Sequence, residues 1–178
     1  PLQEMIGYTD YCLKKFFDRI KDKPWYDNTL FVITNDHASG TDLPEYKALV
    51  GFFAGPMILF HPSDSILVGW NDTTVVQHLD VMPTVLNYLN FPKPYLSFGG
   101  DMLSSKDDHF AFNATNGIYQ HIEGDFSIQH DGNKITGIYN YILDPLLKNN
   151  LKDVAFDNKD YLIQRSFAVY QQVSNRMI

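Results

Sequence analysis

The sequence predicts an α/β fold that ends in a small antiparallel sheet and a C-terminal helix. Three observations predict it. An amphipathic helical pattern over residues 4–22 leads into the continuous apolar run 29–34, which is typical of a strand buried on both faces, as in a parallel sheet. Short strands separated by turn residues then occupy 110–139. A last helical pattern of apolar residues covers 157–175.

The first half of the chain has the order helix, strand, loop, strand, helix. Lys23-Pro24 ends the first helix, because the residue before a proline avoids helical backbone angles. Residues 56–60 are a second short apolar strand. The next helix covers about 79–90, where Asp80 can cap the N-terminus and Pro83 fits the first turn. This half, residues 1–95, is predicted to be the last part of a larger mixed sheet with its helices.

The second half, residues 96–178, is predicted to be a separate small unit. Gly124-Asp125 and Asp131-Gly132 are turn signals between apolar segments, so the segments should pair as an antiparallel meander packed by the last helix. The predicted strands cover residues 110–112, 118–122, 126–129 and 135–139.

Composition and charge exclude several functional classes. Apolar residues make up 44% of the 178-residue chain and the net charge is −7, so the chain can bury a core and is not disordered. Lys and Arg are scattered rather than arranged in a stripe, which argues against nucleic acid as a partner. No run approaches the ~20 apolar residues of a membrane span. Cys12 is the single cysteine, which rules out an internal disulfide, and its helical position predicts burial.

Asp36 and His37 are the main candidates for chemistry. They follow the first apolar strand, and ligand sites in α/β sheets lie at the carboxyl ends of strands. A carboxylate and an imidazole can bind one divalent metal where the strand breaks into a loop, and the residues from Ala38 to Gly40 permit that break. Without further context, the pair is better explained as a helix or loop cap beside a surface histidine.

Four landmarks occur in an order that resembles the sulfatase and alkaline-phosphatase superfamily. The run NTLFVITNDH at 28–37 resembles its strand ending in Asp-His or Asp-Asn. The strand PMILFHP at 56–62 and the helix start QHLDVMPT at 77–84 follow in the same order. The segments IYN at 138–140 and DPLLKNNL at 144–151 resemble the signature that closes the small C-terminal sheet. The chain is therefore identified as similar to the C-terminal part of an alkaline-phosphatase-like catalytic domain.

The Asp-His form of the pair resembles the branch of the lipoteichoic-acid synthases, which are phosphoglycerol transferases. The resemblance implies one divalent metal bound by Asp36 and His37. The nitrogen ligand favours Mn²⁺, while Ca²⁺ and Zn²⁺ remain open. It also implies transfer or hydrolysis of a phosphoric or sulfuric ester, on a small-molecule or lipid-linked substrate, by an extracytoplasmic protein whose parent is anchored in the cell membrane.

The chain departs from the family pattern because no segment before Asp36 matches the nucleophile or the first acidic ligand. It begins at Pro1 without a methionine, so we expect a piece of a longer protein whose missing N-terminal part holds the nucleophile. No catalytic residue is therefore assigned, and the piece should be inactive alone. Exposed apolar edges should cause self-association or marginal stability. The alternative is a non-catalytic binding or structural module that keeps the fold.

Other polar residues have weaker functional interpretations. His78, about forty residues after His37, could be the late ligand of a two-metal enzyme or a partly exposed residue at a helix start. Asp80 and Thr84 are predicted to cap and pack. The remaining candidates are predicted to be turn, loop or surface residues: His61, Ser39, Thr41, His109, His121 and His130.

Overall fold

The computed structural model describes residues 2–38, 42–106 and 108–176. The chain divides into two compact units, the first formed by Pro1–Thr34 with Met57–Trp70 and the second by Asn35–Pro56 with Asn71–Ile178. This division reflects packing, and the predicted domain boundary near residue 95 stays a prediction. No helix in the described ranges is long and apolar enough to cross a membrane.

The first unit packs a long helix against a two-stranded sheet. Helix α1 spans Leu2–Ile20, and strands β1 (Phe31–Thr34) and β2 (Met57–Phe60) pair antiparallel, with Phe31 opposite Phe60. Both strands are largely half-buried. The expectation of strands buried on both faces in a parallel arrangement is therefore wrong for this pair, because an apolar run does not encode the direction of its partner strand.

Only the C-terminal turns of α1 are packed within this unit. Phe17 contacts Phe31 and Phe60 at ring-centroid distances of 5.2 and 5.8 Å, and Ile20 is buried. Cys12, predicted to be buried, is exposed instead. The helical period placed Cys12 beside the apolar face correctly, but no element of the described unit covers that part of the helix.

The second unit is built on a four-stranded antiparallel meander. Its strands pair in chain order as β3 (Phe110–Thr115), β4 (Ile118–Glu123), β5 (Phe126–His130) and β6 (Ile135–Asn140). The meander and both predicted turns are confirmed. Strand β3 is longer than predicted because the tight turn at Asn116 and Gly117, both at positive φ, returns the chain directly into β4.

Helix α4 (Lys159–Arg176) covers one face of this sheet, as predicted. Leu162 of α4 packs with two fully buried side chains, Ile128 of the central strand β5 and Ile138 of the edge strand β6. Burial of these aliphatic side chains supplies the hydrophobic stabilisation of the unit. The helices α2 (Leu49–Phe53) and α3 (Val81–Tyr88) also belong to this unit.

The segment that resembles the family's C-terminal signature protects the outer edge of β6. The Asn150 side chain accepts from the Ile138 N–H at 3.1 Å and donates to the Thr136 carbonyl at 3.2 Å, so its amide substitutes for a neighbouring strand. The Asp144 carboxylate accepts from the Asn149 N–H at 2.6 Å and fixes the approach of this segment. An edge strand whose polar groups are satisfied in this way is a poor template for another chain.

Candidate functional site

Asp36 and His37 lie in an irregular stretch that begins immediately after β1. Both side chains are exposed, at 86% for Asp36 and 63% for His37. The Oδ2 atom of Asp36 is 3.5 Å from Nε2 of His37, so the two groups lie on the same side of the chain rather than pointing apart. Their role as metal ligands stays a prediction.

Local hydrogen bonds orient both side chains. The other carboxylate oxygen of Asp36, Oδ1, accepts from the His37 backbone N–H at 2.9 Å. Nδ1 of His37 lies 2.8 Å from the Ala38 carbonyl, which can only accept, so Nδ1 carries the proton. The lone pair of the neutral ring is then on Nε2, next to Asp36. A metal-binding histidine typically holds its second nitrogen in this way.

The pair fits two neighbouring positions in a metal coordination shell. Asp36 Oδ2 and His37 Nε2 lie 3.5 Å apart, so both atoms would be able to bind the same divalent ion. One carboxylate oxygen and one imidazole nitrogen suit Mn²⁺ or Zn²⁺. Within residues 2–38, 42–106 and 108–176, no group of three or more His, Cys, Asp or Glu side chains could hold a metal. Asp36 and His37 therefore remain a candidate ligand pair within the described residues.

His78 is the residue that the fold adds to this site. Its Nε2 atom lies 2.7 Å from the backbone carbonyl of Asn35, the residue directly before Asp36, although 43 positions separate the two in sequence. The sequence signal was the position of His78 two residues before Asp80 in the helix-start motif. That spacing alone does not reveal which group the imidazole contacts.

Asp80 and Thr84 are structural, as predicted, although Asp80 does not cap α3 in the predicted way. Asp80 is 4% exposed, and its carboxylate accepts from the backbone N–H groups of Gln77 at 2.8 Å and Gly100 at 2.9 Å. Neither donor is in the first turn of α3. The carboxylate instead joins the chain before the helix to a distant loop.

A close backbone approach makes this arrangement possible. A Cβ atom added to Gly99 would overlap both the Asp80 carboxylate and the Leu79 backbone. Thr84 is fully buried, donates to the Asp80 carbonyl at 2.6 Å and accepts from the Met102 N–H at 2.9 Å. The helix start is therefore fixed to the 99–102 loop by the backbone as well as by side chains.

His61 and His109 each make a hydrogen bond to a residue close by in sequence. Nδ1 of His61 accepts from the Ser63 N–H at 3.2 Å, within the turn after β2. His109 is half-buried and bonds to the Ser104 carbonyl. Ser39 and Thr41, considered as substrate contacts, lie outside the described residues.

The prediction that His121 and His130 are surface residues is wrong, because both are fully buried. They point to the face of the sheet that α4 covers, together with Tyr119 and Ile128. A period-two pattern identifies which side chains share a face, but it does not show that a helix from the end of the chain packs on that face.

Comparison with known proteins matches the first half of the chain to a family. The family model described as Sulfatase matches residues 2–91, which are 90 of the 178 residues. The chain belongs to the sulfatase family. The matched residues include Asp36, His37, His78, Asp80 and Thr84, so the whole candidate site lies within the sulfatase segment.

A solved structure extends the likeness through the second half. The crystal structure of a protein in the alkaline phosphatase superfamily from Vibrio parahaemolyticus matches with a TM-score of 0.71 and 18% sequence identity. The match covers 95% of this chain and 40% of the other, so the sulfatase-family chain spans less than half of that protein's length. The comparison confirms the predicted alkaline-phosphatase-like fold, with its small sheet and C-terminal helix.

Proposed function

We propose that this sulfatase-family chain is the C-terminal part of a metal-dependent enzyme in which Asp36 and His37 bind one divalent cation. The observation that carries the proposal is the 3.5 Å separation between Asp36 Oδ2 and His37 Nε2, which lie on the same side of the chain. The Ala38 carbonyl sets the tautomer that leaves this nitrogen able to bind metal. Both groups are exposed, so an ion and a substrate can reach them.

The proposed reaction is transfer or hydrolysis of a phosphoric or sulfuric ester. When bound, a divalent cation at such a site stabilises an alkoxide nucleophile and the charge that develops on the transferred group. Asp36 and His37 hold and orient that cation, and a segment of the same catalytic domain that is not part of this sequence supplies the nucleophile and further ligands.

Within the family, the Asp-His pair supports the lipoteichoic-acid-synthase-like branch and Mn²⁺ over Ca²⁺, because calcium prefers an all-oxygen shell. The proposed substrate is then a lipid-linked or small phosphoglycerol ester, with a sulfuric ester as the other candidate. The resemblance to that branch supports a parent protein that acts outside the cytoplasm, at the cell envelope, and is anchored in the membrane.

The test is Mn²⁺ binding and turnover by the protein at its full natural length. We expect Mn²⁺ binding by calorimetry, with hydrolysis of an aryl phosphate that depends on Mn²⁺. Asp36→Asn and His37→Gln should each weaken Mn²⁺ binding by 10-fold or more, whereas His61→Gln serves as the control and should bind normally. The 178-residue chain alone should not turn over substrate. Sulfate ester turnover with Ca²⁺ alone would contradict the branch assignment.

A non-catalytic module that keeps the fold is the second candidate. The observation that favours it is that the described ranges contain no group of three or more His, Cys, Asp or Glu side chains that could hold a metal. Under this alternative, the full-length protein binds Mn²⁺ no better than the Asp36→Asn variant and hydrolyses neither aryl phosphate nor aryl sulfate.

A further inference from the structure

A contact made by His78 reaches the backbone that leads into the Asp36–His37 pair. The 2.7 Å distance from His78 Nε2 to the Asn35 carbonyl is that of a short, well-formed hydrogen bond. A carbonyl oxygen can only accept, so Nε2 of His78 carries a proton and donates. In this arrangement that nitrogen has no lone pair for a metal, and it acts on the backbone instead.

The donor is presented from a well-fixed position. His78 opens a short 3₁₀ turn, His78–Asp80, that runs into α3. The buried Asp80 carboxylate ties this turn to Gly100, and the side-chain oxygen of Gln77 accepts from the Phe112 N–H of β3 at 3.1 Å. Gln77, just before His78, is held to β3, and Asp80, two positions after it, is held to Gly100. His78 therefore donates from a fixed position.

Asn35, whose carbonyl accepts from His78, is also held by a packing contact with Gly55. A Cβ atom added to Gly55 would overlap the Asn35 side chain, so the backbone at Gly55 lies directly against Asn35. The peptide group between Asn35 and Asp36 is therefore restricted by two contacts. His78 donates to its carbonyl oxygen, and the backbone at Gly55 packs against the Asn35 side chain. Rotation of this peptide group would change the direction in which Asp36 and His37 project.

We propose that His78 is a positioning residue, which holds the Asn35 carbonyl and thereby aims the Asp36–His37 pair at its cation. The proposal rests on the proposed function, because it assigns His78 a role in the affinity of that same site. It also gives the helix-start motif a role in the site, since the buried Asp80 and Thr84 fix the turn that carries His78. Groups that orient metal ligands in this way typically change metal affinity by about 10–100-fold when removed.

The experiment compares His78→Phe, which keeps a ring but loses the donor, with His78→Gln, whose amide nitrogen can replace Nε2. The probe is Mn²⁺ alone, titrated into the full-length protein. We expect His78→Phe to raise the Kd for Mn²⁺ about 10-fold and His78→Gln to restore most of the affinity. His109→Phe is the matched control, because it removes another histidine bond to a backbone carbonyl, that of Ser104 at 2.8 Å, and should leave the Kd unchanged.

A second readout follows the backbone without metal. In isotope-labelled protein, loss of the donor should shift the Asn35 carbonyl carbon and the Asp36 amide resonances in His78→Phe, and His78→Gln should return them towards the wild-type positions. The melting temperature should stay within about 3 °C of wild type, because His78 is exposed and substitutions of exposed residues usually change stability little.

The outcomes separate this proposal from the proposed function. If wild type binds Mn²⁺, Asp36→Asn abolishes binding and His78→Phe binds like wild type, the positioning role is overturned and the metal site stands. Unchanged Asn35 and Asp36 resonances in His78→Phe also overturn it. If wild type and Asp36→Asn are equally unable to bind Mn²⁺, the proposed function fails and the role of His78 fails with it.

Discussion

At the scale of single residues, Asp80 shows how a polar side chain in a motif acts on the backbone. Its carboxylate is nearly inaccessible to solvent, yet it accepts two backbone N–H groups that no helix or strand satisfies. A buried N–H without an acceptor costs about 1–3 kcal/mol. The aspartate therefore satisfies the backbone N–H groups of residues 77 and 100, which are half-buried.

This role predicts a large effect for Asp80→Ala. We expect the free energy of unfolding to fall by about 2–4 kcal/mol, because two donors lose their acceptor at once. Urea denaturation followed by circular dichroism measures it. Asp153→Ala, at an exposed aspartate, is the control and should hardly move the urea midpoint. Equal midpoints for wild type and Asp80→Ala would show that these N–H groups find other acceptors.

At the scale of elements, the contact between α4 and the sheet contains an unusual amount of polar surface. His130 is fully buried, with its ring centroid 4.5 Å from that of Phe167 on α4 and 5.4 Å from that of Tyr119 on β4. Its Nδ1 accepts from the Gly132 N–H, so the proton is on Nε2, which has no hydrogen-bond partner. Protonation of Nδ1 would break the hydrogen bond from the Gly132 N–H and place a positive charge on a buried ring.

A charged network lies beside it on the same face. Nε2 of His121 is 2.8 Å from the Glu123 carboxylate, which also accepts from Nε of Arg165 on α4 at 3.1 Å. Burial acts to raise the pKa of Glu123, but the hydrogen bond from His121 and the charge of Arg165 outweigh it and lower the pKa. Glu123 therefore stabilises the fold above the ordinary carboxyl pKa, and this contribution is lost as the pH falls through its lowered value.

The pKa of His130 is lowered as well, chiefly by burial. The charge of His121 acts in the same direction, the nearby Asp131 acts in the opposite one, and the hydroxyls of Tyr119 and Tyr170 complete the surroundings. The unfolded chain thus binds a proton at His130 more readily than the folded one. Below the unfolded histidine pKa of about 6.5, stability falls with decreasing pH until the lowered folded pKa is reached.

We therefore predict that the interface between α4 and the sheet weakens in mild acid because of His130. Between pH 7.5 and 5.5, His130→Phe should lose stability less steeply than wild type, by up to about 1.4 kcal/mol per pH unit. Urea midpoints at several pH values give the slopes, and His109→Phe should keep the wild-type slope. Parallel curves for wild type and His130→Phe would assign the acid sensitivity to other groups.

At the scale of the whole molecule, the apolar surface is unevenly covered. The fully packed aliphatic cluster of Ile128, Ile138 and Leu162 lies in the second unit. In the first unit, the N-terminal turns of α1 expose large apolar side chains by 38–69%. They are Met5, Ile6, Tyr8, Tyr11 and Leu13. Exposed large apolar side chains in such number are typical of a surface that another surface covers.

This surface predicts that the 178-residue chain self-associates. Light scattering should give an average mass above 20.5 kDa that rises with protein concentration. The double substitution Ile6→Lys with Tyr8→Lys should return the mass towards that of one chain, because both side chains are exposed and their loss costs little packing. Lys14→Ser with Lys15→Ser, which changes charge on the same helix without removing apolar area, is the control. A monodisperse single chain at all concentrations would contradict the prediction.

The sequence by itself determined the elements and the family resemblance. Helical and two-residue periods placed α1, α4 and the four strands of the meander, because burial of one face imposes those periods on the chain. The Asp-His pair and the helix-start motif were also readable, since they are local in sequence and occur in a specific order. For the same reason, Asp36 and His37 could be proposed as ligands before any distance between them was known.

Only the tertiary structure decided what lies opposite each residue. It placed His78 against Asn35, joined Asp80 to Gly100, buried His121 and His130 beneath α4, and left Cys12 exposed. Each of these outcomes depends on a partner many residues away or on a face that nothing covers. A periodic pattern records that a side chain prefers burial, whereas the neighbour that buries it is selected by the packing of the complete chain.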